Sequence, residues 1–379
     1  MIEWNEDQRE LRAAVEEIGA ALGEDHIGRD ARAEFPETAW KSLRETGLLG
    51  LPFDERWGGL GQDLLTTMHV LEGLGYACRD GGFNFSVSTH VVSTGVPLQR
   101  FGSDDLKDRY LTKVCEGAVI GAHAITEPEG GSDVMSMRTS AVRDGDHFVL
   151  NGSKAFTSNG PVADVFVVYA RTGKRGSPAA ITAFLVDRDT PGLVVGGPVS
   201  KMGLRTSPLS ELFFDDCRVP AANVIGSVGA GFLIMDHVMK WEILCSFIIN
   251  VGEMQHRLER CVEYARTRTQ FGKKIGSFQA VSAKLVEMRI AVDSARKWLY
   301  DTGRKLQDGG NVTVDLAISK LVASEGNLAS ALAAVQVFGG YGYTTEYGLE
   351  KDLRNAVAGT IYSGTSEVQR QRIASMIGL

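Results

Sequence analysis

What this chain has little of excludes several chemistries at once. Its five cysteines (Cys78, Cys115, Cys217, Cys245 and Cys261) are scattered, odd in number and never in CxxC spacing. That pattern argues against a disulfide framework or a thiolate zinc site and reads as reduced thiols in a cytoplasmic setting. The seven histidines lie far apart, which leaves no histidine metal cluster. Lys and Arg total 40 against 47 Asp and Glu, for a net charge of −7, and this is not the footprint of a nucleic-acid binder. No apolar run is long enough to span a bilayer, so no membrane partner is expected. The opening MIEWNEDQRELR is mixed in charge and has neither a signal core nor transit-peptide character. Internal repeats and low-complexity linkers are absent too.

What is present fits a soluble globular chain of two or three domains, at 379 residues, 44% hydrophobic and 23% charged. The first third has helical spacing. Leu11, Val15, Ile18 and Leu22 recur on one face of residues 5–22. Residues 36–46 carry a helix start and end before Gly47, residues 54–63 are a glycine-rich loop, and residues 64–74 and 87–101 are two more helices. Ser103 is placed to cap another helix. The second third changes period. Residues 147–150, 165–170, 181–186 and 212–214 are strand-like, and Asp144-Gly145 and Asn151-Gly152 are hairpin-type turn signals. Beyond Gly231 the helical period returns. The expected fold class is α+β and multidomain: an N-terminal α-helical domain (1–120), a middle β-barrel or sandwich domain (121–230) and a C-terminal four-helix bundle (231–379).

Several segments carry chemistry. Residues 124–133, AITEPEGGSD, end a short apolar lead-in with Thr126, then Pro128, Gly130, Gly131, Ser132 and Asp133. Free backbone N–H groups beside a hydroxyl suit a phosphate or a polar ring edge, although an ordinary strand-to-loop corner has the same composition. On the long helix after Gly231, the residues Met235, Val238, Glu242, Cys245 and Ile249 share one face, and Glu242 is its one polar member. A carboxylate in an apolar stripe is costly unless paired or protonated. It is either a buried Glu with a structural partner or a general base with a raised pKa. The run RTRTQFG at residues 266–272 places cations at that helix's end, which serves the helix dipole or reaches a pyrophosphate. QVFGGYGY at 336–343 exposes backbone next to an amide and aromatics. GTIYSGTSEVQR at 359–370 sets Thr365 or Ser366 at a helix start, a cap and also an anion site by geometry.

Together AITEPEGGSD, NGSKAFTSNG (151–160), KMGLRTSPLSELFFDDCRVP (201–220), RTQFGKKIG, QVFGGYGY and IYSGTSEVQR resemble the acyl-CoA dehydrogenase family, and the resemblance covers essentially the whole chain. It implies three domains, α, β and α, one FAD per subunit and a homotetramer built from dimers. It also implies roles. Ile125 and Thr126 contact the flavin ring, Ser132 reaches the pyrophosphate region, and Phe156 and Ser158 cover the other face of the flavin. Arg268, Phe271, Gln336 and Gly340 reach the FAD of a neighbouring subunit, while Thr365 and Glu367 hold the other end of that FAD. Most members place the catalytic Glu directly before the GTS turn, where this chain has Ser363. A minority, isovaleryl-CoA dehydrogenase among them, place it on the long helix, 29 residues ahead of the Phe of the RTQFG motif; counted from Phe271 that is Glu242. Ser363 can keep the backbone role of that position, its N–H donating to the thioester carbonyl together with a ribityl hydroxyl of FAD. Ile243 replaces a common Arg, and His123 a common aromatic.

The activity implied is α,β-desaturation of an acyl or aminoacyl thioester, tethered to a carrier protein or to CoA. The motifs look closest to the carrier-protein subset, which includes prolyl-type dehydrogenases. The electron acceptor is an electron-transfer flavoprotein or oxygen. A short- or branched-chain acyl-CoA dehydrogenase, an oxidase or monooxygenase on the same fold, and a non-catalytic flavin-binding scaffold are the alternatives.

Overall fold

The first helix begins where the sequence supplies a capping box. The Asn5 side chain accepts from the Gln8 N–H, and Gln8 reaches back to the Asn5 N–H. In the computed structural model, which describes residues 2–379, the N-terminal third is helical. It comprises α1 (Glu6–Leu22), α2 (His26–Arg32), α3 (Glu37–Arg44), α4 (Leu64–Ala77), α5 (Gly81–Ser88), α6 (Val96–Phe101), α7 (Asp104–Leu106) and α8 (Thr112–Cys115). Asp63 caps α4 and Ser103 caps α7 through side-chain oxygens. One expectation needs correcting. Residues 87–101 do not form a plain α-helix, because a π-helical segment, Thr89–Gly95, joins α5 to α6. Almost every residue there is buried, so propensity could not reveal the wider turn.

The middle third is a mixed sheet of eight strands: β1 (Gly121–Ala124), β2 (Ser140–Asp144), β3 (His147–Ser158), β4 (Val165–Arg171), β5 (Ile181–Asp187), β6 (Leu193–Val195), β7 (Leu209–Pro220) and β8 (Val224–Ile225). Their order is β6-β7-β3-β2-β4-β5-β8, with β1 parallel to β4. Asp144-Gly145 is the hairpin turn between β2 and β3, as expected. Asn151-Gly152 is not a turn. It lies inside β3 at a bulge, where Gly152 has φ 141° and a Cβ would stand 2.7 Å from Thr139 Cα. The Asn151 side chain bridges Asp216 of β7, donating at 3.0 Å and accepting at 2.9 Å. Turn chemistry here serves a bulge, so β3 runs on to Ser158.

Strand alternation decides what the sheet shows the helices. Phe166, Val168, Phe184 and Val186 pack within the β layer with Phe148, Leu150 and Leu212. Val165, Val167, Tyr169, Ala183 and Leu185 face the other way and join the helical core. The sheet thus offers one face to the helices, and Tyr169 reaches them there.

The last third is helical: α9 (Gly231–Thr267), α10 (Gln279–Gln307), α11 (Thr313–Phe338), α12 (Gly340–Tyr343), α13 (Leu349–Gly359) and α14 (Ser366–Met376). α9, α10, α11 and α13 pack side by side, and α9 also lies along α4. Contrary to the sequence expectation, α11 is long and apolar enough to pass for a bilayer span by length and composition. Its Ser319, Lys320, Ser324, Asn327 and Ser330 are all buried against neighbouring elements, the position of a bundle helix.

Candidate active site

Glu242 sits in the first third of α9, on the face made by Met235, Val238, Cys245 and Ile249, which are all buried. Its side chain is 15% exposed. Two hydroxyls hold the carboxylate. Ser363 Oγ donates to Oε1 at 2.5 Å, and Ser93 Oγ donates to Oε2 at 3.0 Å. Burial pushes the Glu242 pKa up, and the two hydroxyls pull against it. The nearest basic group is His123 Nδ1 on β1, 3.9 Å from Oε2. Burial, and then the charge of Lys154, depress that imidazole to about 3, so at neutral pH it carries no charge. His123 packs edge-on to Tyr169 at 5.3 Å, and burial together with Glu242 raises the Tyr169 hydroxyl above its ordinary value.

Ser363 stands beside Glu242, and its side chain is engaged with that carboxylate. It also adopts φ 53°, a left-handed conformation uncommon for a residue with a Cβ. Ile243, which replaces an Arg, points into the core and is 2% exposed. It leaves Glu242 without a cation from its own helix turn.

The AITEP corner is built around a buried ion pair. Lys154 on β3 is fully buried and donates to Glu127 Oε1 at 2.9 Å and to the Ile125 carbonyl at 3.0 Å. The other Glu127 contacts are the backbone N–H groups of Arg138 and Thr139, at 2.7 and 2.8 Å. Burial raises Glu127, yet Lys154 and these donors hold it below its usual range. Burial lowers Lys154 to about 8 in spite of Glu127, so the pair is ionised at neutral pH. The Ala155 N–H closes the corner on the Thr126 carbonyl at 2.9 Å.

This corner sets Thr126 against Ala155, the residue before Phe156, with Ser158 two residues further along β3. Phe156 falls at a second β3 irregularity, between Lys154 and Thr157, with φ 55° and a side chain 65% exposed. Ser158 ends β3 opposite Leu209. Thr157 Oγ1, Tyr169 Oη and His123 Nε2 are buried polar atoms with no partner among the described residues. An aromatic standing out at a bulge, two half-buried hydroxyls and unpaired polar atoms suit a planar, polar-edged ring. Ser132 is exposed on the loop beyond.

The other expected residues lie elsewhere. Arg268 caps the end of α9, and its guanidinium is 5.8 Å from the Tyr341 ring. It shares an open pocket of about 540 Å³ with Tyr264, Gln270, Phe338, Gly340 and Tyr341. Gln336 is exposed one turn before, and Phe271 is 93% exposed with φ 50°. At 1.5 Å per residue, Arg268 stands roughly 39 Å along α9 from Glu242. One chain cannot bring both to one small molecule. Thr365 caps α14, accepting from the Val368 N–H at 3.2 Å, and Glu367 is exposed in its first turn. Among the described residues no group of three or more His, Cys, Asp or Glu side chains could hold a metal.

Sequence reasoning missed Ser93, Lys154, Glu127 and Tyr169. Lys154 carried a signal, a cation at a β-strand position that alternation turns inward. Ser93 carried none, since only the π turn aims it.

A largely buried carboxylate clasped by hydroxyls, between one face of the sheet and the helices, is an arrangement suited to taking a proton, in a chain ordered as helices, strands and helices. Residues 5–118, 122–217 and 229–378 match the N-terminal, middle and C-terminal domains of acyl-CoA dehydrogenase. The chain is 37% identical to the L-prolyl-[peptidyl-carrier protein] dehydrogenase of Pseudomonas fluorescens, over 99% of both chains. Its structure is similar to the prolyl acyl carrier protein oxidase AnaB, with a TM-score of 0.97, 39% identity and full coverage of both chains. It is similar to the FAD complex of PigA at the same TM-score and 36% identity, covering 100% and 99% of the two chains. The chain belongs to the acyl-CoA dehydrogenase family.

Proposed function

We propose that this protein is an FAD-dependent dehydrogenase that desaturates the α,β-bond of an acyl or aminoacyl thioester, with a carrier-protein-bound aminoacyl group as its substrate. The observation that carries the reading is Glu242, largely buried, uncompensated by any cation among the described residues and held by two hydroxyls. Its carboxylate takes the proton from the carbon next to the thioester carbonyl. The Ser363 N–H donates to the carbonyl oxygen as negative charge builds there. FAD supplies the acceptor for the β-hydrogen, which leaves with its electron pair. Ile125, Thr126, Phe156 and Ser158 orient the ring, and Ser132, Thr365 and Glu367 hold the rest of the cofactor.

The similarity to the carrier-protein dehydrogenase of Pseudomonas fluorescens and to AnaB supports the same substrate class.

The purified protein should be yellow, with about one FAD per chain by absorbance after release. A colourless protein that stays colourless after reconstitution would exclude the reading. Anaerobic bleaching by a prolyl thioester on a carrier protein, compared with butyryl-CoA, tests the substrate. Faster bleaching by butyryl-CoA would favour the CoA alternative. Reoxidation by air, compared with reoxidation by an electron-transfer flavoprotein, identifies the acceptor.

Arg268, Phe271, Gln336 and Gly340 serve the FAD of a neighbouring subunit in a homotetramer: α9 carries Arg268 too far from its own Glu242, and Gly340 lines the same distant pocket as Arg268. Removing a charge-assisted hydrogen bond costs roughly 1.5–3 kcal/mol. Arg268→Ala should therefore weaken FAD binding by about 10- to 150-fold, read by fluorescence titration alongside light scattering. A monomer that keeps its full flavin would contradict the sharing.

A further inference from the structure

The two hydroxyls on Glu242 come from unrelated parts of the chain, and each pays a conformational cost to be there. Ser363 adopts φ 53°. Ser93 depends on the π-helical segment between α5 and α6. That segment runs antiparallel to α9: Ser88 Oγ meets Ser246 Oγ at 2.7 Å, and Ser93 Oγ meets Glu242 Oε2 at 3.0 Å. Four residues separate the partners on α9, and five separate them on the facing segment. A π turn, with its i→i+5 step, makes those spacings match. A regular α-helix would carry Ser93 off the carboxylate.

The groups facing Glu242 can be named from each packed element. β1 gives His123, neutral at 3.9 Å. β4 gives the un-ionised Tyr169, and the loop before α14 gives Tyr362, also raised above its ordinary value by burial. The π segment gives Ser93, and the same loop gives Ser363. On α9 itself Lys240 is engaged with Asp236 at 2.7 Å. Lys154 acts on His123 and is bound to Glu127. Among the described residues no cation faces the carboxylate, so the hydroxyls alone oppose its burial.

We infer that Ser93 and Ser363 form a hydroxyl clamp, a pair of positioning residues that favours the charged form of Glu242 within its apolar face and fixes both of its oxygens. The inference rests on Glu242 being the base, but its first test does not require turnover. A protonated carboxyl has its own infrared band, and Glu242→Gln identifies the Glu242 band by difference. Hydrogen bonds to a charged group are worth roughly one pH unit or more each. Ser93→Ala and Ser363→Ala should each raise the infrared titration midpoint of Glu242 by about one pH unit, and the double variant by more. Ser93→Thr, which keeps the hydroxyl, should return the midpoint close to wild type. Ser363→Gly relieves the left-handed backbone and keeps the N–H. The clamp requires it to shift like Ser363→Ala, whereas a purely backbone role for Ser363 would leave it at the wild-type midpoint.

In the second measurement, the acid limb of anaerobic flavin reduction by the prolyl carrier-protein thioester should move up by the same amount as the infrared midpoint, with the alkaline plateau largely kept. If the thioester reduces no flavin while the midpoints shift, the substrate reading fails and the clamp stands. If flavin is reduced and the midpoints of Ser93→Ala and Ser363→Ala coincide with wild type, the clamp is overturned and the dehydrogenase reading stands.

Discussion

Glu242→Gln should keep its flavin and its fold and lose its chemistry. Glutamine preserves the shape and can still accept from one serine hydroxyl through its oxygen, while the other hydroxyl turns to accept from its NH₂. What it cannot do is take a proton. Removal of a general base typically slows a reaction by roughly a hundredfold to ten-thousandfold. The expected result in rapid-mixing reduction with a carrier-protein thioester is a fall of that size at every pH. A pH-independent loss separates Glu242 from its clamp, whose removal is mended by alkali. Thermal stability should hold or rise, because the substitution takes a carboxylate with a burial-raised pKa out of an apolar face. Reduction at the wild-type rate would return Glu242 to the role of a buried structural acid. FAD occupancy, measured on the same sample, should be unchanged, since no flavin-facing side chain bonds to Glu242.

The sequence made some of this legible for physical reasons. Glu242 interrupts the apolar stripe of Met235, Val238, Cys245 and Ile249 on α9, so periodicity picks that residue out, and the spacing to Phe271 points to it a second time. The order of helices, strands and helices follows from a change of period that no tertiary contact overrides. The clamp was not legible. Ser93 lies in an almost wholly buried run where a π turn replaces an α turn, and no local residue choice announces that step. Ser363 was visible as a lost carboxylate but not as a gained hydroxyl, because its Oγ points at a residue 121 positions away. Asn151-Gly152 misled for a related reason. A left-handed Gly after Asn is the signature of a hairpin turn, and here the same backbone freedom makes a bulge that carries β3 past Asn151 toward Ser158.

Lys154→Met is expected to have the largest effect on stability of any substitution near the site. Lys154 is fully buried, and among the described residues its ammonium is the only cation on Glu127. Methionine fills much the same volume, so packing is largely kept, and what is lost is the charge. Glu127 would then be a nearly buried carboxylate supported only by the backbone N–H groups of Arg138 and Thr139. Breaking a buried pair from one side typically costs about 3–5 kcal/mol, whereas replacing both partners is often close to neutral. The comparison is therefore Lys154→Met, Glu127→Gln and the double variant, followed by thermal and urea unfolding. Lys154→Met should fall furthest, and the double variant should recover at least half of that loss, since the Gln oxygen can still accept from the Arg138 and Thr139 N–H groups. The Ile125 carbonyl also loses its donor, so the corner that carries Thr126 should loosen and FAD should be held less tightly in Lys154→Met. His123 reports the same event from the other side. Burial is the first cause of its depressed pKa, and the charge of Lys154 the second. Without Lys154 its titration should move up from about 3 but stay below the ordinary histidine value, read from the imidazole resonances. A Lys154→Met protein that unfolds with wild type and leaves His123 unmoved would mean that the corner is held by its backbone hydrogen bonds rather than by this ion pair.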